Sequence, residues 1–220
     1  MTVDPSLAER LFPGLPVAVA WVDGCRLGAA VSPPFAVEFA AVAAAAPVRQ
    51  RAFALGRIAA HAALAAVGAA PAPLLAGSDR APSWPAGFAG SLAHTDDVAV
   101  AVAGRDDGEL ALGIDVERAR ELEPDLWPTI TTARERAWLA VPAALRPGRR
   151  ALDVFCAKEA VYKAWSRRGR RILEFHEVEL EWDAAGALRA ARVLGAPVMS
   201  LRLESTVVGP FVVASARPAA

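Results

Sequence analysis

Two acidic positions on one short segment, and a glutamate flanked by two lysines on another, carry most of the chemistry this sequence could perform. In Asp115-Val116-Glu117 the carboxylates stand at i and i+2. On a strand those positions share a face. Side by side the two charges repel, and a shared cation relieves that cost. Such a pair also occurs as solvated residues where a strand runs into a turn. The second segment contains Lys158-Glu159 and Lys163, set among Phe155, Val161, Tyr162 and Trp165. As a surface feature Glu159 and Lys163 would be an i,i+4 ion pair contributing about 0.3–0.5 kcal/mol. Among large apolar neighbours they suit a site lining instead. Glu159 joined to Asp115 and Glu117 would make a hard oxygen set fit for Mg²⁺, with Lys158 and Lys163 left to hold phosphates.

His94 stands in Gly90-Ser91-Leu92-Ala93-His94-Thr95. It is either a structural histidine or a donor to a phosphate oxygen. Arg49 and Arg57 lie two helical turns apart in one alanine-rich stretch, and Arg80 lies in a Pro-rich loop; solvated surface is the default for each. No Gly-rich phosphate loop, HExxH, zinc-ligand spacing or GxSxG elbow occurs.

The chain that must position these groups has 220 residues, 55% of them hydrophobic and 22% charged. That excludes a disordered chain and leaves material for one large domain or two fused halves. Twenty-four basic residues balance twenty-four acidic ones, which argues against nucleic-acid binding through phosphate neutralisation. Only two of the basic residues are lysines, Lys158 and Lys163. Against an arginine-rich background, both suggest a need for a compact ammonium. Cys25 and Cys156 are too few for a disulfide framework. The first residues show no basic region leading into an apolar run, and the alanine-rich stretch 58–76 contains His61, Pro71 and Pro73. The expectation is a cytoplasmic protein with no leader peptide and no membrane span.

Residues 49–68 predict a helix ending at Gly68, and 71–90 a loop. Alternation in 97–103 and the apolar run 109–117, joined by Gly104-Arg105-Asp106-Asp107-Gly108, predict a β-hairpin. Helices are expected over 129–140 and 152–166, the latter followed by the Arg167–Arg171 cluster. Strands are expected over 178–182, 199–206 and 210–216. Helices and antiparallel strands without a βαβ rhythm indicate an α+β fold.

In order along the chain, RQRAFALGR (49–57), PSWPAGFAGSLAHT (82–95), LGIDVE (112–117) and FCAKEAVYKAW (155–165) resemble the 4′-phosphopantetheinyl transferases. The likeness is to the large single-chain type serving siderophore, polyketide and non-ribosomal peptide synthesis. It covers about residues 49 to 165, the later strands carrying no motif. The resemblance implies two similar α+β halves, at 1–109 and 110–220, forming a pseudodimer with the active site in the cleft between them. It implies transfer of the phosphopantetheine arm of coenzyme A to a serine of an acyl or peptidyl carrier protein, with release of 3′,5′-ADP, by a cytoplasmic monomer of holo-acyl-carrier-protein synthase type.

By position, the resemblance makes Asp115, Glu117 and Glu159 the Mg²⁺ ligands. Lys158 and Lys163 would contact the pyrophosphate and stabilise the leaving group, and His94 would bind a phosphate oxygen. Arg49, Arg57 and Arg80 would hold the 3′-phosphate or flank the adenine. Glu159, or a metal-bound water acting through it, would be the base. Ala93 and Cys156 stand where many relatives carry a hydroxyl residue. Two other readings remain at this point. One is a Mg²⁺-dependent phosphodiesterase or pyrophosphatase, which would release product from coenzyme A without a carrier. The other is a binding homologue without activity.

Overall fold

A computed structural model describes residues 1–28, 30–77, 81–140, 151–166, 173–183, 186–194 and 200–219. Arg80 and the Arg167–Arg171 cluster lie outside these. The chain forms two compact units, Met1–Leu112 and Gly113–Ala220.

The first unit contains β1 (Thr2–Val3), α1 (Pro5–Leu11), β2 (Val17–Asp23), α2 (Ala36–Phe39), α3 (Pro47–Ala66), β3 (Phe88–His94) and β4 (Val98–Arg105). Its antiparallel sheet runs β1-β2-β4-β3. Pro47 opens α3 at its first turn, where a missing N–H costs nothing. Gly68, at φ +82°, follows its end in a conformation that disfavours other residues. The helix lies on β2, β3 and β4. Ala59, Ala60 and Ala63 from α3 meet Ala20, Ala99, Ala101 and Ala103 from the sheet, with Leu55 and Leu74 filling the larger gaps. Small side chains on both surfaces allow the helix and sheet to approach closely.

The second unit contains β5 (Gly113–Arg118), α4 (Trp127–Ile130), α5 (Ala133–Leu139), α6 (Ala151–Ser166), β6 (Val178–Trp182), β7 (Leu188–Val193), β8 (Ser200–Val208) and β9 (Phe211–Pro218). Its antiparallel sheet runs β5-β9-β8-β7-β6. The long helix α6 packs on β5 and β9. Cys156, Ala157, Ala160, Val161, Ala164 and Trp165 face Leu180, Leu203, Val212, Ala214 and Ala216. Each unit is thus a long helix laid on an antiparallel sheet, the α+β arrangement expected.

The expected hairpin over 97–117 does not form. β4 is paired on both sides, with β2 and β3, so no edge is left for the segment that follows. The turn chemistry is real: Asp106 Oδ1 accepts from Gly108 N at 2.8 Å and Leu110 N at 2.9 Å. It links the two units instead, and β5 pairs with β9. The hairpin lies one element earlier, where Thr95 Oγ1 accepts from Asp97 N and Val98 N in the turn between β3 and β4. His94 accordingly ends a strand.

Candidate active site

In the second unit, β5 presents Asp115 and Glu117 two residues apart, opposite Ala214 and Val212 of β9. α6 supplies Glu159 and Lys163, one turn apart. The helix reaches the strand because Gly113 has no side chain: a Cβ there would lie 1.8 Å from the Ala160 carbonyl oxygen. Gly113 therefore makes room for the helix backbone.

Lys163 Nζ donates to Asp115 Oδ1 at 2.7 Å and to the Ile114 carbonyl at 3.0 Å. Asp115 is 6% exposed, and its Oδ2 is buried without a hydrogen-bond partner. Burial, then the charge of Asp115, pushes the Glu159 carboxyl above its ordinary pKa, while Lys163 pulls it down. Glu117 is raised by the same two causes in the same order, with Arg120 and Lys163 opposing. Three carboxylates thus share one small region with a single lysine. Glu117 and Glu159 resist ionisation because of burial and then of the charge of Asp115, the state that a bound divalent cation relieves.

Among the described residues no three His, Cys, Asp or Glu side chains stand in a ready-made metal-ligand arrangement. The fit to a divalent cation rests on the oxygen donors of Asp115, Glu117 and Glu159, and on the buried, unpartnered Asp115 Oδ2.

Lys158, expected beside Lys163 as a phosphate contact, is placed apart from it. Its side chain is fully buried, with Nζ 2.7 Å from Glu135 Oε2 and 2.8 Å from the Phe175 carbonyl. Burial lowers its pKa, and Glu135 opposes the shift. The reason is helical phase: at about 100° per residue, Lys158 lies roughly 140° around α6 from Lys163. The partner, Glu135, is a buried residue that the sequence reading passed over. Its one sequence signal is the Thr132-x-x-Glu135 spacing of a capping box, which does form.

Two further α6 side chains border the cluster. The Tyr162 hydroxyl is buried without a partner; burial first, then Glu159, raises its pKa well above the ordinary range. The Cys156 thiol donates to the Val212 carbonyl at 3.8 Å, and its pKa is raised by burial first and then by the charge of Asp115.

In the first unit, Arg57 is buried on α3, its guanidinium 4.5 Å from the Phe53 ring and its Nε unpartnered. Burial lowers its pKa, and the buried carboxylate of Glu38 raises it. That carboxylate is pinned by His61 Nε2 and Leu74 N, both at 2.7 Å. His94 packs beside the same stretch of α3: a Cβ on Gly56 would lie 3.4 Å from its ring. Arg49 is exposed in the first turn of α3. Arg51, two residues on, ties the helix to the carbonyls of Gly24 and Gly28.

Residues 37–104 match the 4′-phosphopantetheinyl transferase N-terminal domain, and residues 111–215 match the 4′-phosphopantetheinyl transferase superfamily. The chain is 40% identical over 179 residues to the 4′-phosphopantetheinyl transferase Svp of Streptomyces mobaraensis, covering 78% of this chain and 71% of that protein. It is 37% identical over 157 residues to PptT of Mycobacterium tuberculosis, covering 70% and 68%. Enterobactin synthase component D of Salmonella typhimurium is 41% identical over 116 residues, covering 51% and 47%. With both matches standing one after the other in a single polypeptide, the chain belongs to the 4′-phosphopantetheinyl transferase superfamily.

Proposed function

We propose that this chain performs its superfamily's reaction through a Mg²⁺ site made by Asp115, Glu117 and Glu159, as a holo-acyl-carrier-protein synthase type of transferase. The transfer itself follows from membership: the phosphopantetheine arm of coenzyme A passes to a carrier protein. The observation that carries the metal assignment is the buried, unpartnered Asp115 Oδ2 beside two carboxyls with raised pKa values.

The balanced step needs an acceptor for one proton and a neutralised leaving group. The carrier serine oxygen forms a bond to the phosphorus next to the pantetheine arm. The bond from that phosphorus to the bridging oxygen breaks, and 3′,5′-ADP departs with the electron pair. Glu159, whose carboxyl binds a proton more readily than an ordinary glutamate, takes the serine proton. Lys163, with a 30% exposed side chain, supplies a positive charge toward the leaving oxygens. A divalent cation at the three carboxylates would act as a Lewis acid on the pyrophosphate.

The first unit serves as the coenzyme A-binding half in this reading. His94 binds a phosphate oxygen, while Arg49, Arg57 and Arg80 hold the 3′-phosphate and adenine end. The unpartnered Nε of buried Arg57 supports its place in that set. No described helix is long and apolar enough to cross a membrane. The reading is completed by a cytoplasmic monomer acting on acyl or peptidyl carrier domains of secondary metabolism.

The test is intact-mass measurement of an apo carrier protein incubated with this protein, coenzyme A and Mg²⁺. The expected result is a gain of one phosphopantetheine, abolished by EDTA and by Glu159→Ala. Coenzyme A breakdown with no mass gain would overturn the reading in favour of a phosphodiesterase.

A further inference from the structure

We propose that Lys158 and Glu135 are positioning residues, a buried pair that sets the rotation of α6 so that Glu159 and Lys163 face Asp115, and that Lys158 touches no phosphate. The inference rests on the assignment of Glu159 and Lys163 to the transfer site.

Glu135 is held by both oxygens. Oε1 accepts from Leu180 N of β6 at 3.0 Å. Oε2 accepts from Thr132 N at 2.7 Å and from Lys158 Nζ at 2.7 Å. Lys158 Nζ also donates to the Phe175 carbonyl at 2.8 Å. The ammonium of α6 is therefore tied at once to α5, to the strand edge through Glu135, and to the turn leading into β6.

On the opposite side of α6, about 160° from Lys158 around the axis, Ala160 seats its carbonyl over Gly113. The helix is gripped on two sides, by a close backbone contact and by an ion pair. The apolar face around them is Val154, Ala157, Val161 and Ala164. Such a face resists pulling away but resists rotation poorly, because small aliphatic side chains exchange neighbours at little cost. A lysine of fixed reach on a carboxylate with three directional donors does not.

Stability alone does not account for the pair. Taking both charges out of water costs about as much as their attraction returns, and apolar residues of like volume often replace a buried pair without loss. What the pair supplies is a fixed angle, and Glu159 is the next residue along the same helix.

Two measurements test this. The chain has only two lysines, so reductive methylation read by mass spectrometry reports them separately. The expected result is modification of Lys163, slowed by coenzyme A with Mg²⁺, and no modification of Lys158 with or without them. Lys158 labelling as fast as Lys163, or shielded only when coenzyme A binds, overturns the proposal. This readout needs no turnover, so it stands even if the transferase assignment fails, and failure of the unaltered protein to modify any carrier reports on that assignment alone.

The second measurement uses the double variant Glu135→Leu/Lys158→Met, which removes both charges together and leaves neither one orphaned. The expected result is an unchanged circular dichroism spectrum, a kcat lower by about a hundredfold, and a KM for coenzyme A shifted less than threefold. An unchanged kcat would reduce the pair to a structural contact, and a KM rise matching the loss would make Lys158 a ligand contact; either overturns the proposal. If the double variant does not fold, the labelling of the unaltered protein decides.

Discussion

Lys163 Nζ lies 2.7 Å from Asp115 Oδ1, while the other oxygen of the same carboxylate is buried and has no hydrogen-bond partner. Half of Asp115 is thus neutralised from within the chain and half is not. Lys163→Ala would leave the whole carboxylate uncompensated. Because the lysine is partly exposed, the expected loss of stability is only about 1–2 kcal/mol. Urea denaturation without metal should show it, and added Mg²⁺ should recover part of it, since a ligand binding only the folded state stabilises that state. Transfer activity should fall far more than stability does.

Glu159→Gln keeps the shape of the side chain and removes its charge and basicity. Transfer measured by intact mass should drop by about 10²–10⁴-fold with the fold intact. Near-normal turnover in this variant would remove Glu159 from the role of base.

The raised carboxyls make a prediction about pH in the metal-free protein. Glu117 and Glu159 bind protons more tightly folded than unfolded. Between the unfolded value near 4.5 and the higher folded values, the native state therefore carries more protons. Stability falls as pH rises through that window and stays lower above it. The double variant Glu117→Gln/Glu159→Gln should accordingly have the higher Tm at pH 7, with the difference shrinking as pH approaches 4.5. Saturating Mg²⁺ should raise the Tm of the unaltered protein at pH 7 and leave the double variant unmoved.

Gly113→Ala would place a Cβ 1.8 Å from the Ala160 carbonyl oxygen. Its backbone is extended, so the penalty is purely steric and must be met by moving α6 away from β5. A loss of about 3 kcal/mol or more is expected, read by thermal unfolding, together with loss of transfer.

The cysteines should differ sharply toward a thiol reagent. Cys25 is exposed and Cys156 is buried, with its thiol pushed up by burial and by Asp115. One thiol should titrate with Ellman's reagent in the native protein and two in denaturant. Two in the native state would contradict the packing of α6 on β9.

What could be read from the sequence was what local geometry decides. Asp115 and Glu117 share a face by the strand period, and Glu159 and Lys163 by the helix period, whatever else the chain does. The long helices ending near Gly68 and Ser166 carry their composition with them. What could not be read was partner choice. Lys158 sits in the same run as Lys163 and looks equivalent, yet its fate depends on Glu135, a different element that only folding brings near. The turn at 104–108 has real turn chemistry, but whether a turn closes a hairpin depends on which edges are free. β4 had none, and β5 found β9. Arg57 reads as a surface cation in an arginine-rich chain, and only the packing of α3 shows it to be buried beside Glu38.

The pairing of β5 with β9 carries a consequence for biosynthesis. Asp115 lies opposite Ala214, so the strand bearing two of the three carboxylates waits, as translation proceeds, until nearly all of the second unit has left the ribosome. The sheet of the first unit needs nothing beyond β4 and can form earlier. A nascent or prematurely terminated chain would display a folded first unit with Asp115 and Glu117 on an unpaired strand. The strand that bears Asp115 and Glu117 would thus find its place beside α6 only once β9 has been made.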